Sequence, residues 1–186
     1  MKTVLVPLAK GFEEIEAVTI IDVLRRAQID VIVASLDHVA LVQGANGIVV
    51  EADVAMDNVV IDILDMIILP GGWDGTNILA DDKIVQNALK EMQALGKDIA
   101  AICAAPFALH KAGVLSHNFT CYPSAEEKIR EDGYQGDKSM VVEDGNVITS
   151  RGPGTSLCFA LEIVKKLQGQ ETYDMLKDGL LATYCK

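Results

Sequence analysis

Ile99-Ala100-Ala101-Ile102-Cys103-Ala104-Ala105-Pro106 is the stretch of this 186-residue sequence that decides the fold. Its first four residues are all apolar, as in a strand covered on both faces, and its proline suits the first turn of a helix. In an open α/β sheet, ligands bind beyond the carboxyl ends of the strands. A cysteine at this junction therefore predicts a nucleophile elbow.

The same alternation of strand and helix patterns extends along the chain. Apolar runs at 4–6, 31–34 and 66–69 also indicate buried strands. Between them, residues 13–27 and 84–95 place apolar side chains at helical spacing. The order predicts an α/β fold in which a mostly parallel sheet lies between two layers of helices.

The remaining segments predict two hairpins and three further helices within one domain spanning residues 1–186. Asn46-Gly47 and Asp144-Gly145 are turn dipeptides flanked by β-rich pieces. Ser124-Ala125-Glu126-Glu127 matches a capping box and predicts a short helix. Helical patterns also cover about 155–167 and 171–182.

Composition excludes several functional classes. The chain has 16 basic and 27 acidic residues, a net charge of −11, so it lacks the basic stripe of a direct nucleic-acid binder. No apolar run approaches the roughly 20 residues that span a bilayer, so no membrane association is expected. The amino terminus does not resemble a signal peptide, and we expect a cytoplasmic protein.

The cysteines and histidines indicate neither a disulfide framework nor a metal site. The spacing of the four cysteines matches no secreted framework or zinc motif, so all four are expected to be free thiols. We expect Cys158 to lie in the core and Cys185 to be a tail thiol. The three histidines form no close-spaced cluster with cysteine or carboxylate, so neither a metal nor another cofactor is expected.

Cys103 is the candidate nucleophile. The following helix N-terminus favours an anion and is expected to lower the pKa of the thiol. The alternative is a small cysteine that only fills the core. Gly71 and Gly72 follow a second strand, where the Gly72 N–H and that of Ala104 are candidate oxyanion donors. The alternative there is an ordinary glycine turn.

Three carboxylates at Glu13, Glu14 and Glu16 open the first predicted helix. Compensation of the helix dipole alone would explain them. Glu16, however, is followed by apolar residues of the buried face and is expected to point inward. Facing a thiol, it should share one proton with Cys103, and that proton is useful for acid–base chemistry.

Four motifs in order resemble the ThiJ/PfpI superfamily, and the nearest branch holds the parkinsonism-associated deglycase and bacterial ThiJ-like proteins. The motifs are Glu13-Glu14-Ile15-Glu16-Ala17-Val18, Leu69-Pro70-Gly71-Gly72, Ala100-Ala101-Ile102-Cys103-Ala104-Ala105-Pro106 and Ser150-Arg151-Gly152-Pro153-Gly154-Thr155. The resemblance implies a flavodoxin-like three-layer sandwich and a homodimer. It also implies that Cys103 is a redox-sensitive nucleophile, Glu16 its protonated partner, and Gly72 and Ala104 the oxyanion donors.

The resemblance further implies cofactor-free action on small aldehydes, glyoxal and methylglyoxal, or on their early glycation adducts, linked to oxidative-stress protection. An alternative is a peroxide-responsive redox sensor or chaperone that uses Cys103 without turnover. A role in thiamine synthesis, suggested by older family naming, finds no thiazole or phosphate site here. The protease branch has histidine directly after the cysteine, where this chain has Ala104, so peptidase activity is disfavoured.

Several other residues are weaker pocket candidates. Tyr122 stands where several relatives carry a histidine, and a phenol cannot replace imidazole as a base near neutral pH. Cys121 is a candidate resolving thiol, although strand alternation should turn either it or Tyr122 away from the pocket. Arg26 is placed near the pocket by the resemblance and is otherwise a solvated helix charge. Gly71 completes this set.

Overall fold

A seven-stranded sheet forms the centre of the computed structural model, which describes residues 1–185. Helices pack on both of its faces, and a two-stranded ribbon lies apart from it. The strands are β1 (Thr3–Leu8), β2 (Asp30–Ser35), β3 (Leu41–Gln43), β4 (Val49–Glu51), β5 (Val54–Ala55), β6 (Met66–Leu69), β7 (Asp98–Ile102), β8 (Val141–Asp144) and β9 (Val147–Ser150). The helices are α1 (Glu14–Arg26), α2 (Trp73–Asp81), α3 (Lys83–Ala94), α4 (Pro106–Ala112), α5 (Ser156–Gln168) and α6 (Gln170–Gly179).

The sheet has the order β5-β2-β1-β6-β7-β9-β8. Every neighbouring pair is parallel except β8–β9, which is antiparallel. This mostly parallel arrangement between helix layers confirms the predicted flavodoxin-like α/β fold. Across residues 1–185, no helix combines the length and the apolar character needed to cross a bilayer.

Side-chain alternation along the strands builds two cores. On β6, Met66 and Ile68 face the core shared with α1, α5 and α6, whereas Ile67 and Leu69 face the core shared with α2, α3 and α4. All four are fully buried. The uninterrupted apolar runs therefore reflect strands that are covered on both faces, as predicted.

Local patterns gave most element positions correctly. Both predicted hairpins form, as β3–β4 and β8–β9. The capping-box segment forms only a single 3₁₀ turn at Glu126–Lys128, because Ser124 has a left-handed φ of 75° and does not cap it. Helix α6 ends at Gly179, short of the predicted 182, and α2 was not predicted.

The expectation of four free cysteines is wrong. Cys158 and Cys185 form a disulfide, while Cys103 and Cys121 are free and buried. Helix α6 packs back against α5, which brings Cys185 to the first turn of α5 and leaves the two Cα atoms 5.1 Å apart. Cys158 does lie in the core, but Cys185 is a buried disulfide partner rather than a tail thiol.

Candidate functional site

Cys103 occupies the sharp turn between β7 and α4. Its φ of 64° is a left-handed conformation that non-glycine residues seldom adopt. Two backbone hydrogen bonds hold it: the Cys103 N–H donates to the Ser150 carbonyl at 3.0 Å, and the Tyr122 N–H donates to the Cys103 carbonyl at 2.8 Å. Strained residues of this kind persist only where their surroundings over-determine them, and they cluster at functional sites.

Two backbone N–H groups, those of Gly72 and Ala104, lie close enough to the Cys103 thiol to lower its pKa. Gly72 reaches this position with a φ of 88°, and a Cβ there would lie 2.4 Å from the Gly11 carbonyl oxygen. Only glycine fits this close approach, so the pair of glycines after β6 is more than an ordinary turn.

Glu16 lies beside Cys103 in the first turn of α1 and has no solvent exposure. Its Oε2 accepts a hydrogen bond from the Gly71 N–H at 2.7 Å, and the Cys103 thiol lies near enough to its carboxyl group to lower the pKa of that group. Oε1 is buried and has no hydrogen-bond partner among residues 1–185. A Cβ on Gly71 would lie 2.6 Å from Glu16 Oε2 and 2.5 Å from the Cys103 Cβ, so the three residues are in direct contact.

The other two carboxylates of this helix start have structural roles. Glu13 caps α1, since its Oε2 accepts a hydrogen bond from the Glu16 N–H at 2.8 Å. Glu14 is buried as well and accepts hydrogen bonds from Asn46 and Ile48 in the β3–β4 hairpin. Glu14 thus fixes the hairpin against α1, a role that sequence alone did not reveal.

Burial dominates the electrostatics of Glu16 and Cys103. It raises the pKa of Glu16 to about 7, against the opposing effect of the hydrogen bonds from Gly71 and Cys103. Burial, together with the nearby Glu16 charge, also raises the pKa of the Cys103 thiol, and the Gly72 and Ala104 N–H groups offset this only in part. A lowered thiol pKa was expected from the helix N-terminus, and that expectation is wrong.

The physical reason is that α4 has only seven residues and begins with Pro106, which offers no N–H. The helix terminus therefore lowers the thiol pKa less than burial and the adjoining Glu16 carboxyl group raise it. Because the two groups are buried in contact, they titrate as a pair, and near neutral pH one proton is held between the carboxyl group and the sulfur.

Two of the weaker candidates adjoin the elbow. Tyr122 holds the elbow through its backbone, while its side chain is 45% exposed and its ring lies beside Gly152. Cys121 points away into a small core with Phe119. Burial and the Glu126 carboxylate raise the pKa of the Cys121 thiol to about 12, which disfavours a resolving role.

Arg26 is not brought to the elbow within this chain. It is the last residue of α1, ten residues beyond Glu16, which corresponds to a rise of about 15 Å. Its Nε lies 2.8 Å from an Asp22 carboxylate oxygen in an exposed ion pair. Within this chain, Arg26 is therefore a solvated helix charge.

Two neighbours of the site were not singled out from the sequence. Ser150, in the quoted Ser-Arg-Gly-Pro-Gly motif, supplies the carbonyl that fixes the Cys103 backbone. Trp73 directly follows the Gly72 donor, and its ring packs 6.3 Å from that of Phe107, centroid to centroid, with the Lys128 Nζ 4.2 Å from the Trp73 centroid. The sequence signal that could have identified Trp73 is an aromatic residue directly after two glycines.

Within residues 1–185, no group of three or more histidine, cysteine or acidic residues forms a potential metal site.

Comparison with known proteins identifies the family. Residues 2–166 match the model of the DJ-1/PfpI family. The chain is 41% identical to "Protein dj-1beta" of Drosophila melanogaster over 184 residues, 98% of each chain, and the crystal structure of that protein superposes with a TM-score of 0.92 over 97% of each chain. It is 39% identical to "Glutathione-independent glyoxalase DJR-1.2" of Caenorhabditis elegans over 173 residues, 91% of each chain. The structure "Toxoplasma gondii DJ-1, oxidized" has a TM-score of 0.92 and 36% identity, covering 97% of this chain and 98% of that one. This chain therefore belongs to the DJ-1/PfpI family.

Proposed function

We propose that this protein is a cofactor-free enzyme that converts glyoxal and methylglyoxal, or their early adducts on amines and thiols, into hydroxy acids. One observation carries the proposal: the Cys103 and Glu16 side chains are buried and meet beside Gly71, with the Gly72 and Ala104 N–H groups near the thiol. A nucleophile, a proton carrier and a site for negative charge are thereby combined within one small volume.

The first step forms a bond between Cys103 and the aldehyde carbon. As the sulfur attacks, its proton passes to the Glu16 carboxylate, and the negative charge that develops on the aldehyde oxygen is stabilised by the N–H groups of Gly72 and Ala104. Glu16 then returns the proton to that oxygen. The product is a hemithioacetal, and no atom beyond substrate and protein is needed.

The second step moves a proton between the two substrate carbons. Glu16 removes a proton from the former aldehyde carbon and delivers a proton to the neighbouring carbon. The hydroxyl proton on the former aldehyde oxygen moves to the neighbouring carbonyl oxygen, and the hemithioacetal thereby becomes the thioester of a 2-hydroxy acid. Water then hydrolyses the thioester, releasing the hydroxy acid and restoring the Cys103 thiol. The net reaction adds one water to the oxoaldehyde. The glyoxalase name of the Caenorhabditis elegans relative supports this chemistry.

The direct test compares methylglyoxal consumption and lactate formation among wild type, Cys103→Ser and Glu16→Gln. We expect Cys103→Ser to abolish turnover and Glu16→Gln to reduce it by about 10²-fold or more, the usual contribution of a positioned acid–base group. Glu91→Gln is the matched control, because it makes the same change on an exposed position of α3. Equal rates for wild type and Cys103→Ser would refute the proposal.

A second candidate function is peroxide sensing through oxidation of Cys103, with or without chaperone activity. The oxidised state of the Toxoplasma gondii relative supports it. Graded peroxide followed by peptide mass spectrometry tests it, since a sensor requires that Cys103 be oxidised before Cys121. Oxidation that falls first on Cys121 would count against sensing and would leave the enzymatic proposal intact.

We also propose a homodimer, because exposed apolar side chains lie on two elements that Glu14 joins. Ile15 and Val18 are 58% and 45% exposed on α1, and Leu41, Ile48 and Val49 are exposed on the adjoining hairpin. Sedimentation should show a dimer that Ile15→Lys weakens and that Ile84→Lys, a similarly exposed position on α3, does not. An equally stable dimer in Ile15→Lys would place the interface elsewhere.

A cytoplasmic location is likewise part of the proposal, and cell fractionation tests it.

A further inference from the structure

The Cys158–Cys185 disulfide fastens the C-terminal segment, residues 180–185, to the first turn of α5. Cys158 is the third residue of α5, and Cys185 is the last residue that the structure describes. The two cysteines are 27 residues apart in sequence. This pair is chemically separate from Cys103, which is a free thiol.

Apart from the disulfide, only local backbone hydrogen bonds and a few packed side chains hold the C-terminal segment. Within residues 1–185, its backbone N–H groups bond only to nearby carbonyls, the most distant being the bond from Ala182 to Lys177. Ala182 and Cys185 are its buried side chains, whereas Leu181 is 81% exposed. Segments with few buried contacts and only local hydrogen bonds open at low free energy. The covalent bond therefore adds to a limited packing contact, made by Leu180, Ala182 and Cys185 against the core.

Solvent reaches this pair from one side. A cavity of about 470 Å³ between α5 and the segment that precedes and forms β8 has Cys158 in its wall, along with Met140 and Ile148. The two half-cystines are themselves nearly buried, at 4% and 2% exposure. A small oxidant or thiol thus approaches Cys158 through the cavity, and opening of the segment exposes Cys185.

We propose that Cys158 and Cys185 form a reversible redox site that attaches and releases the C-terminal segment, independently of Cys103. Disulfides inside reducing compartments are commonly transient or redox-sensing, and the cytoplasmic location proposed above places this pair in such a compartment. A peroxide oxidises one thiol to a sulfenic acid and is reduced to water. The second thiol then attacks the sulfenic sulfur, forming the S–S bond and releasing a second water. A cellular dithiol reverses the change by thiol–disulfide exchange. The Cys158–Cys185 bond is reduced to two thiols, and the dithiol is oxidised to its own disulfide.

The test digests the full-length protein from its C-terminus with a carboxypeptidase and follows intact mass. One sample is reduced with dithiothreitol, and another is reduced and then treated with hydrogen peroxide. We expect reduction to speed the loss of residues from the C-terminal segment by about tenfold or more and peroxide to restore resistance. Cys158→Ser should be digested rapidly in both states. Cys121→Ser, which alters a thiol outside this pair, should keep the wild-type redox response.

Peptide mapping supplies the second readout and keeps the proposal refutable if Cys158→Ser folds poorly. After peroxide treatment of the reduced wild type, the peptides with Cys158 and Cys185 should be joined, with the loss of two hydrogens. Unchanged Trp73 fluorescence would show that the fold is intact. Equal digestion rates before and after reduction, or failure of the two peptides to rejoin, would overturn the proposal.

Discussion

Substituting Gly71 by alanine tests the contact between Glu16 and Cys103 most directly. The added Cβ would lie 2.5 Å from the Cys103 Cβ, 2.6 Å from Glu16 Oε2 and 3.1 Å from the Cys103 sulfur. Carbon atoms in contact sit about 3.5–4.0 Å apart, so the two side chains must separate by about 1 Å. Gly71 has no left-handed φ, and the effect is therefore purely one of space.

The expected cost follows from this crowding. Glu16 is fully buried and Cys103 is held at both ends of its backbone, so neither side chain moves freely. Overpacking of this kind lowers the free energy of unfolding by about 1–3 kcal/mol. A displacement of about 1 Å at reacting groups reduces turnover by about 10²-fold. Because the added methyl pushes on Glu16 as well as on the thiol, transfer of the thiol proton should be impaired.

Urea denaturation, followed by the fluorescence of Trp73, the single tryptophan, measures the free energy of unfolding. Methylglyoxal consumption measures turnover. Gly154→Ala is the matched control, since a Cβ there meets no atom within 4 Å. It should be neutral or slightly stabilising, by up to about 1 kcal/mol. If Gly71→Ala behaved like Gly154→Ala in both measurements, the geometric reasoning would be wrong.

Three further predictions concern stability. The pKa of Glu16 is raised in the folded state, from 4.5 to about 7, so its contribution is fully present below pH 4.5 and is lost as the pH rises through 7. Relative to Glu16→Gln, wild type should lose about 3 kcal/mol of unfolding free energy over that range in urea titrations, and a constant difference would contradict this. Cys185→Ser should lower the unfolding free energy of the oxidised protein by about 3–4 kcal/mol, the closure entropy for 27 residues, and dithiothreitol should remove most of the difference. Gly72→Ala should melt well below Gly113→Ala, because both have a left-handed φ but only the former meets backbone atoms within 3 Å; equal melting temperatures would argue against the clash.

The fold was predictable because its strands are buried on both faces. Runs such as Met66–Leu69 have no polar alternation, which is typical of strands in a sheet that is covered on both faces. Helix α2 escaped prediction because it begins directly after paired glycines, with Gly75 in its first turn, and glycine lowers helix propensity. Its start depends on the Gly72 backbone rather than on a capping side chain.

The proximity of Glu16 and Cys103 was predictable from the sequence, whereas their electrostatics were not. Cys103 stands out because a strand ends there, and Glu16 because apolar residues follow it in the helical pattern. Whether the thiol pKa is raised or lowered depends on how deeply the pair is buried and how close the two groups lie. Both are set by tertiary packing and cannot be seen in the local sequence. The disulfide was missed for a similar reason, since it depends on α6 turning back along α5.

The two hydrogen bonds on the Cys103 backbone bear on when this protein acquires its chemistry during synthesis. Tyr122 and Ser150 both follow Cys103 in the chain and supply the groups that hold it. A growing polypeptide that has released Cys103 from the ribosome still lacks β9 and cannot assemble the elbow. The chemistry proposed for this thiol therefore requires that the chain be made at least through β9, and activity measured during translation would report that this part has folded.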